Sequence, residues 1–367
     1  MKIWFAAAIP PDANGGVARS VRELSGNLRK RGHKVKVIFA NHTLTENYIL
    51  FSLKNAILLL LHIFSPPHWV IARSTDGLFA LLLARLLRMK VRFALHNHGW
   101  EQKVYELEST LPRAKISNPT TFKAHLLRFP LLRLNATLAD ICISGTFDET
   151  RWLGKKQFTK KTSLATVPNG IYPTERAFWP EQKVIPPFFL TVGAFTWKKN
   201  LEYAISLFTE IYNAFPAARM FCVGTDSTQE SIQITSNAVH AITFINKETP
   251  ERIFRWYEEC PFLLSTSRYE GGRSFAILEA QSRGMIACSV NIFSSREQIL
   301  HNHSGLLLDG ISIETDAKVV VDCLSDENLM RTIGLNAWKK SVRCRWDRQV
   351  DRLEKVLNTY NSTYSTK

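Results

Sequence analysis

Two carboxylates, Glu270 and Glu279, fall within one short stretch, Arg268-Tyr269-Glu270-Gly271-Gly272-Arg273-Ser274-Phe275-Ala276-Ile277-Leu278-Glu279-Ala280. The apolar run Pro261 to Ser267 before it reads as a buried parallel strand. The residues after the glycines read as a helix that ends at Gly284, ahead of a second strand-like run, Met285 to Val290. A strand, a glycine-bearing turn and a helix together aim backbone N–H groups and a positive helix end at an anion, for which phosphate is the natural guest. Extra negative charge does nothing for a phosphate site, whereas an ionised carboxylate accepts strongly from O–H donors. The pair therefore points to neutral hydroxyls held beside the phosphate. Out of context, a surface glutamate in a turn and an ordinary helical glutamate would look the same.

The elements that must position these groups follow a strand, loop, helix pattern. Lys2 to Ile9 reads as a strand, Pro10 to Gly16 as a loop, Val17 to Arg31 as a helix stopped by Gly32, and Lys34 to Ala40 as the next strand. A glycine pair, Gly15-Gly16, lies at this first βα turn. The G-x-G-x-x-G fingerprint is absent, which argues against a dinucleotide-dependent oxidoreductase. Further strands are expected at Trp69–Ala72, Val91–Leu95, Asp140–Ser144, Leu164–Val167, Pro187–Gly193 and Arg219–Gly224. His96-Asn97-His98-Gly99 follows one of them, at the carboxyl end where ligand-binding groups of open α/β sheets gather. Thr249-Pro250-Glu251 marks a capped helix start, and Trp346, Val350, Leu353 and Leu357 recur at helical spacing near the C-terminus.

A chain of 367 residues is long for one core and comfortable for two domains, with the composition of a folded globular protein. Its net charge of +15 requires a partner or another reason. No zinc, helix-turn-helix or RNA-binding signature accompanies the charge, so an anionic donor and an anionic membrane surface fit better than nucleic acid. Thr120 to Leu138 interleaves large apolar residues with Lys123, Arg128 and Arg133. It reads either as a basic amphipathic helix at the inner leaflet of a membrane or as a core helix with a solvated basic face. Ala56 to Phe64 is apolar but too short to span a bilayer. Six cysteines without CxxC spacing, several in expected core strands, read as buried reduced thiols. The apolar start runs directly into Pro10-Pro11-Asp12 and reads as the first strand, not a leader; the location expected is cytoplasmic.

The stretch around Glu270 resembles the Glu-x7-Glu signature of retaining GT-B glycosyltransferases, a nucleotide-sugar group that includes bacterial polysaccharide and lipopolysaccharide enzymes. This chain departs from it by one residue, with eight between Glu270 and Glu279. The insertion is placed in Gly271-Gly272-Arg273, because Ser274 to Gly284 matches well. The resemblance extends in order along nearly the whole chain, through Gly15-Gly16, His98-Gly99, Val167-Pro-Asn-Gly-Ile171, Gly193 to Lys199, Ser295 to Leu300 and Gly305 to Leu308. It implies an α/β protein of GT-B fold, two Rossmann-like domains facing across a cleft. Residues 1–170 would form the acceptor domain, 171–187 a linker and 188–340 the nucleotide-sugar domain, with 341–367 a helix and tail crossing back to the first.

The implied activity is that of a nucleotide-sugar-dependent hexosyltransferase. Its donor would be a UDP-, GDP- or ADP-sugar and its acceptor a glycan or lipid-linked molecule, with no cofactor. Glu270 and His98 would contact the transferred sugar, and Glu279 the ribose hydroxyls. Lys199, Gly15, Gly16, Gly272 and Ser274 would serve the diphosphate. Where the family has an arginine this chain has Ala194, and Arg273 is the expected replacement because a guanidinium grips phosphate with two N–H groups. No Asp-x-Asp is present, so no divalent metal is expected. Two other classes remain open: a catalytically silent sugar-nucleotide-binding subunit, which the Ala194 and spacing departures would suit, and a basic nucleic-acid-binding protein.

Overall fold

The computed structural model describes residues 1–10, 15–40, 47–112, 124–155, 162–175, 177, 187–224, 237–246 and 248–362. Residues 11–14 of the glycine loop, 120–123 of the basic segment, most of the linker and the end of the polar tail lie outside the described residues. Contacts divide the described residues into two units, one within 1–112, 124–169 and 346–362 and the other within 170–345.

Each unit is built on a six-stranded parallel sheet. In the first, β1 (Lys2–Ala7), β2 (Lys34–Phe39), β3 (Trp69–Ala72), β4 (Arg92–Asn97), β5 (Ile141–Ser144) and β6 (Ser163–Thr166) lie in the order β2-β1-β3-β4-β5-β6. In the second, β7 (Phe188–Val192), β8 (Arg219–Gly224), β9 (Ile242–Asn246), β10 (Phe262–Ser265), β11 (Ile286–Val290) and β12 (Leu306–Leu308) lie in the order β12-β11-β10-β7-β8-β9. Parallel neighbours need crossover connections, which the helices supply, so the central strands are covered on both faces and read as continuous apolar runs. Trp69-Val-Ile-Ala72 and Phe262-Leu-Leu264 are buried along their whole length for this reason.

In each sheet the chain builds outward from its first strand and then returns to that strand's other side. The reversals fall between β1 and β3 and between β7 and β10, and in open α/β sheets a ligand crevice forms at the carboxyl ends of the strands beside such a reversal. The candidate residues lie on these edges because of that topology.

The helices follow from local signals. Helix α1 (Gly16–Lys30) buries Val21, Leu24 and Leu28 and ends before Gly32, whose φ of +83° suits the left-handed turn that stops a helix. Helices α2 (Tyr48–Leu60), α3 (Leu78–Leu86), α4 (Glu101–Glu108), α5 (Phe129–Leu138) and α6 (Phe147–Lys155) complete the crossovers of the first unit. The described part of the basic segment is a π-helical turn, Ala124–Arg128, running into α5.

In the second unit α7 (Leu201–Ala214), α8 (Pro250–Glu259), α9 (Phe275–Ser282), α10 (Phe293–Gln298), α11 (Ile313–Leu324) and α12 (Glu327–Val342) surround the sheet. The side chain of Thr249 caps α8 by accepting from the Arg252 amide. Helix α13 (Trp346–Ser362) belongs to the first unit, where it packs on α1. Its Trp346, Val350, Leu353 and Leu357 are fully buried. Arg31, at the end of α1, donates to Asp351 at 2.6 Å and to Glu354, and His33 lies 2.7 Å from Glu354. All six cysteines are buried and none is in a disulfide.

Candidate functional site

On the second unit, the loop after β7 and the turn after β10 are fastened together where the strand order reverses. Thr266 Oγ1 donates to the carbonyls of Lys199 at 3.1 Å and Asn200 at 3.0 Å. The Arg268 amide donates to the Lys198 carbonyl at 2.7 Å, and its Nη1 to the Trp197 carbonyl at 2.8 Å. Asn200 takes a left-handed conformation, φ +53°, at the cap of α7, which turns the chain into that helix.

The outcome of this clasp is the placement of Lys199. Its Nζ lies 2.6 Å from Glu270 Oε1, and Ser267 Oγ donates to the same oxygen at 2.8 Å. Gly193 takes φ +146°, a backbone conformation that other residues rarely adopt, and the stem of Lys199 packs against it. A Cβ on Gly224 would sit 1.7 Å from the Gly193 carbonyl oxygen, so the ends of β7 and β8 approach this closely only because residue 224 is glycine. A small crevice at the ends of β7 and β10 is lined by Lys199, Thr191, Phe195, Ser265, Thr266 and Ser267.

Helix α9 begins at Ser274, which Gln298 grips from both sides. The Ser274 amide donates to Gln298 Oε1 at 2.8 Å and Gln298 Nε2 donates to the Ser274 carbonyl at 3.0 Å. The Ser274 amide, expected as an anion donor, is thus already engaged; its hydroxyl is what Ser274 can offer. Gly272 sits partly exposed in the turn. Glu279 lies in the second turn of α9 and is 7% exposed. Arg273, the expected stand-in for the arginine missing at exposed Ala194, points Nη1 at Cys344 Sγ, 3.5 Å away. Lys199, Ser267 and Glu270 are therefore the groups the structure brings into direct contact.

On the first unit, Gly15 caps α1 with open space around its Cβ position, at the carboxyl end of β1. His96 lies near the end of β4 and His98 just beyond it, their rings 4.4 Å apart. Burial pushes His96 down to about 4, and burial with His96 and Arg73 holds His98 well below the ordinary histidine range. Both are neutral at pH 7, able to accept a hydrogen bond through one ring nitrogen. Asp76, after β3, accepts from the Ala8 amide at 2.8 Å, and burial raises it to about 6 despite the nearby Arg73.

These shifts predict a pH dependence. The unfolded chain binds protons at His96 and His98 more readily than the folded one, so stability falls as pH drops below about 6.5; for His96 the loss runs down to about pH 4 and amounts to about 3 kcal/mol. Asp76 has the opposite sign over much the same window and offsets part of the loss. Urea unfolding should therefore show falling stability from pH 7 to pH 5, and Asp76→Asn should steepen the fall.

Sequence reading missed Thr266, Arg268, Gln298 and Asp76. The first three act through contacts between distant segments that leave no local pattern. Asp76 had a signal, since Arg73-Ser-Thr-Asp-Gly77 directly follows a strand at the edge where ligand groups gather.

Comparison with known proteins agrees with the two-sheet architecture. Residues 14–175 match the family model described as Glycosyltransferase Family 4, and residues 175–340 the one described as Glycosyl transferases group 1. An uncharacterized glycosyltransferase of Methanocaldococcus jannaschii is 24% identical over 176 residues, which is 46% of this chain and 47% of that relative. The match thus spans about half of the relative's length. Sucrose-phosphate synthase from Thermosynechococcus elongatus superposes with a TM-score of 0.78 at 16% identity, over 100% of this chain and 99% of that one. Anabaena HepE, solved in complex with UDP-glucose, superposes with a TM-score of 0.73 at 16% identity, over 98% of this chain and 100% of that one. Two glycosyltransferase family models thus match successive segments of the chain, and its two six-stranded sheets have the GT-B fold of these neighbours.

Proposed function

We propose that this chain transfers a hexose from a UDP-, GDP- or ADP-sugar to a glycan or lipid-linked acceptor, with retention at the anomeric carbon and without a divalent metal. The observation that carries the reading is the Lys199–Glu270–Ser267 cluster at the carboxyl edge of the second sheet, beside its reversal. It joins a cation suited to phosphate with a carboxylate suited to hydroxyls.

As the bond from the anomeric carbon to the leaving oxygen breaks, negative charge grows on the departing diphosphate. An ammonium already engaged with the bound diphosphate stabilises that charge without further reorganisation. In this reading the diphosphate takes Lys199 from Glu270, and the released carboxylate accepts from the sugar hydroxyls. Ser267 keeps hold of Glu270 during the exchange, so the carboxylate stays oriented. Glu279 is assigned to the ribose and Arg273, with Gly272 and Ser274, to the diphosphate. The roles of Gly15, Gly16 and His98 on the first unit rest on the resemblance. HepE was also solved with UDP and glucose, and S. aureus TarM, with a TM-score of 0.61 at 14% identity over 79% of this chain and 55% of that one, was solved with UDP. These neighbours support a nucleotide-sugar donor.

A thermal-shift screen against UDP-, GDP- and ADP-sugars tests the reading, because a ligand that binds only the folded form adds about 2.7 kcal/mol at a hundredfold excess over its Kd. One nucleotide class should raise the melting temperature, and the same sugar nucleotide should turn over with acceptor extracts. A shift without turnover would mark a silent binding subunit, and no shift with any of the three would refute the reading.

A further inference from the structure

Helix α2 is apolar on two sides. Phe51, Ala56 and Leu59 are buried, while Leu50, Leu53, Ile57, Leu60 and Leu61 recur at helical spacing on the other side and remain exposed. The turn that follows presents Phe64, which is completely exposed at 101%. Scattered apolar residues on a surface are normal; a continuous stripe ending in a bare phenylalanine marks a surface that something covers.

What covers it is indicated by the charge around it. Helices α2 and α3 pack together and both cross between parallel strands, so both end at the edge of the sheet where strands begin. Leu86, 78% exposed, and Leu87 continue the apolar surface there. The same edge carries cations. Lys2 and Lys34 are partners in register at the starts of β1 and β2, Arg92 opens β4, and Arg88 and Lys90 precede it. The Lys2 ammonium donates to Ser65 Oγ at 3.1 Å, which ties a cation to the turn bearing Phe64. From residue 47 to 100 the sequence has one acidic residue, Asp76, and it is buried.

We propose that α2 and the turn through Phe64 dock on an anionic lipid bilayer. The helix lies in the plane of the interface, the leucine stripe and Phe64 enter the boundary between head groups and acyl chains, and Lys2, Lys34, Arg88 and Lys90 meet lipid phosphates. At 13 residues, α2 is about 20 Å long and cannot cross a hydrocarbon core of about 30 Å, so the docking is on the membrane and not through it. Among the described residues no helix is long and apolar enough to span. A second copy of the chain suits this face less well, because a two-fold interface would set like-charged edges against each other. The inference does not depend on the identity of the sugar donor.

The test is co-sedimentation of the full chain with sucrose-loaded vesicles of phosphatidylcholine alone and of phosphatidylcholine mixed with phosphatidylglycerol. The protein should sediment with the anionic vesicles, remain largely free with the neutral ones, and lose binding as salt is raised. Combined Leu53→Gln, Ile57→Gln and Leu61→Gln, and separately Phe64→Ser, should each lower anionic-vesicle binding, the triple variant by roughly tenfold or more. Lys34→Glu with Lys90→Glu should remove the preference for anionic lipid. All of these side chains face solvent, so melting temperatures should stay at the wild-type value, which separates lost docking from lost folding. Three results would overturn the proposal: wild type free in both vesicle preparations, triple-variant binding equal to wild type, or light scattering that shows a wild-type dimer made monomeric by the triple variant. Nucleotide thermal shifts on the same samples would report donor binding separately.

Discussion

Replacing Lys199 by alanine should lower kcat/KM for the sugar nucleotide by roughly 10²–10³-fold, the usual consequence of removing one preorganised donor to developing charge. The loss should be larger in kcat than in the donor KM, because the leaving diphosphate is more negative in the transition state than in the bound donor. The fold should survive. The lysine side chain is 30% exposed, and the loop that carries it is held by Thr266 and Arg268 through backbone carbonyls, which the substitution leaves in place. A steady-state comparison of the two proteins at matched melting temperature checks this prediction.

Glu270→Gln should give a different signature. A glutamine at this position still accepts a hydrogen bond from Ser267, but it loses the charge that strengthens bonds from sugar hydroxyls, so kcat should fall roughly 10- to 150-fold. Binding of the nucleotide should not fall with it. In the structure Glu270 occupies Lys199, and a negative carboxylate beside a diphosphate site repels the incoming ligand. Neutralising it frees the ammonium, so the donor KM should stay level or decrease. A carboxylate with a merely structural role would instead lower the melting temperature and leave this divergence between kcat and KM unseen.

Much of the fold was legible because parallel strands buried on both faces leave short apolar runs between helical periods. The strands Trp69–Ala72 and Arg219–Gly224 have the expected bounds. The C-terminal spacing of Trp346, Val350, Leu353 and Leu357 marks the four residues that α13 buries. Strand β9 escaped because it is a five-residue edge strand in which polar, exposed Thr243 interrupts the apolar run. Helix α2 escaped for the opposite reason: apolar residues on both sides erase the helical period, leaving only a run too short to span a membrane.

The candidate site was legible where chemistry and backbone geometry coincide, as at Glu270 and Lys199, which lie in the loops that follow β10 and β7. It was not legible where one side chain holds a distant loop. Gln298 reaches Ser274 across 24 residues and Arg268 reaches Trp197 across 71, and neither spacing has a sequence period. The Ser274 amide reads as a ligand donor until its partner is seen.

The most direct measurement is calorimetric titration of the nucleoside diphosphate that the thermal-shift screen selects into wild type, Lys199→Ala and Glu270→Gln. The exchange of Lys199 between carboxylate and diphosphate predicts opposite responses: at least roughly tenfold weaker binding for Lys199→Ala, the loss of one charge-assisted bond, and binding as tight as wild type or tighter for Glu270→Gln. Equal Kd values for all three proteins, or weakening by both substitutions alike, would contradict it.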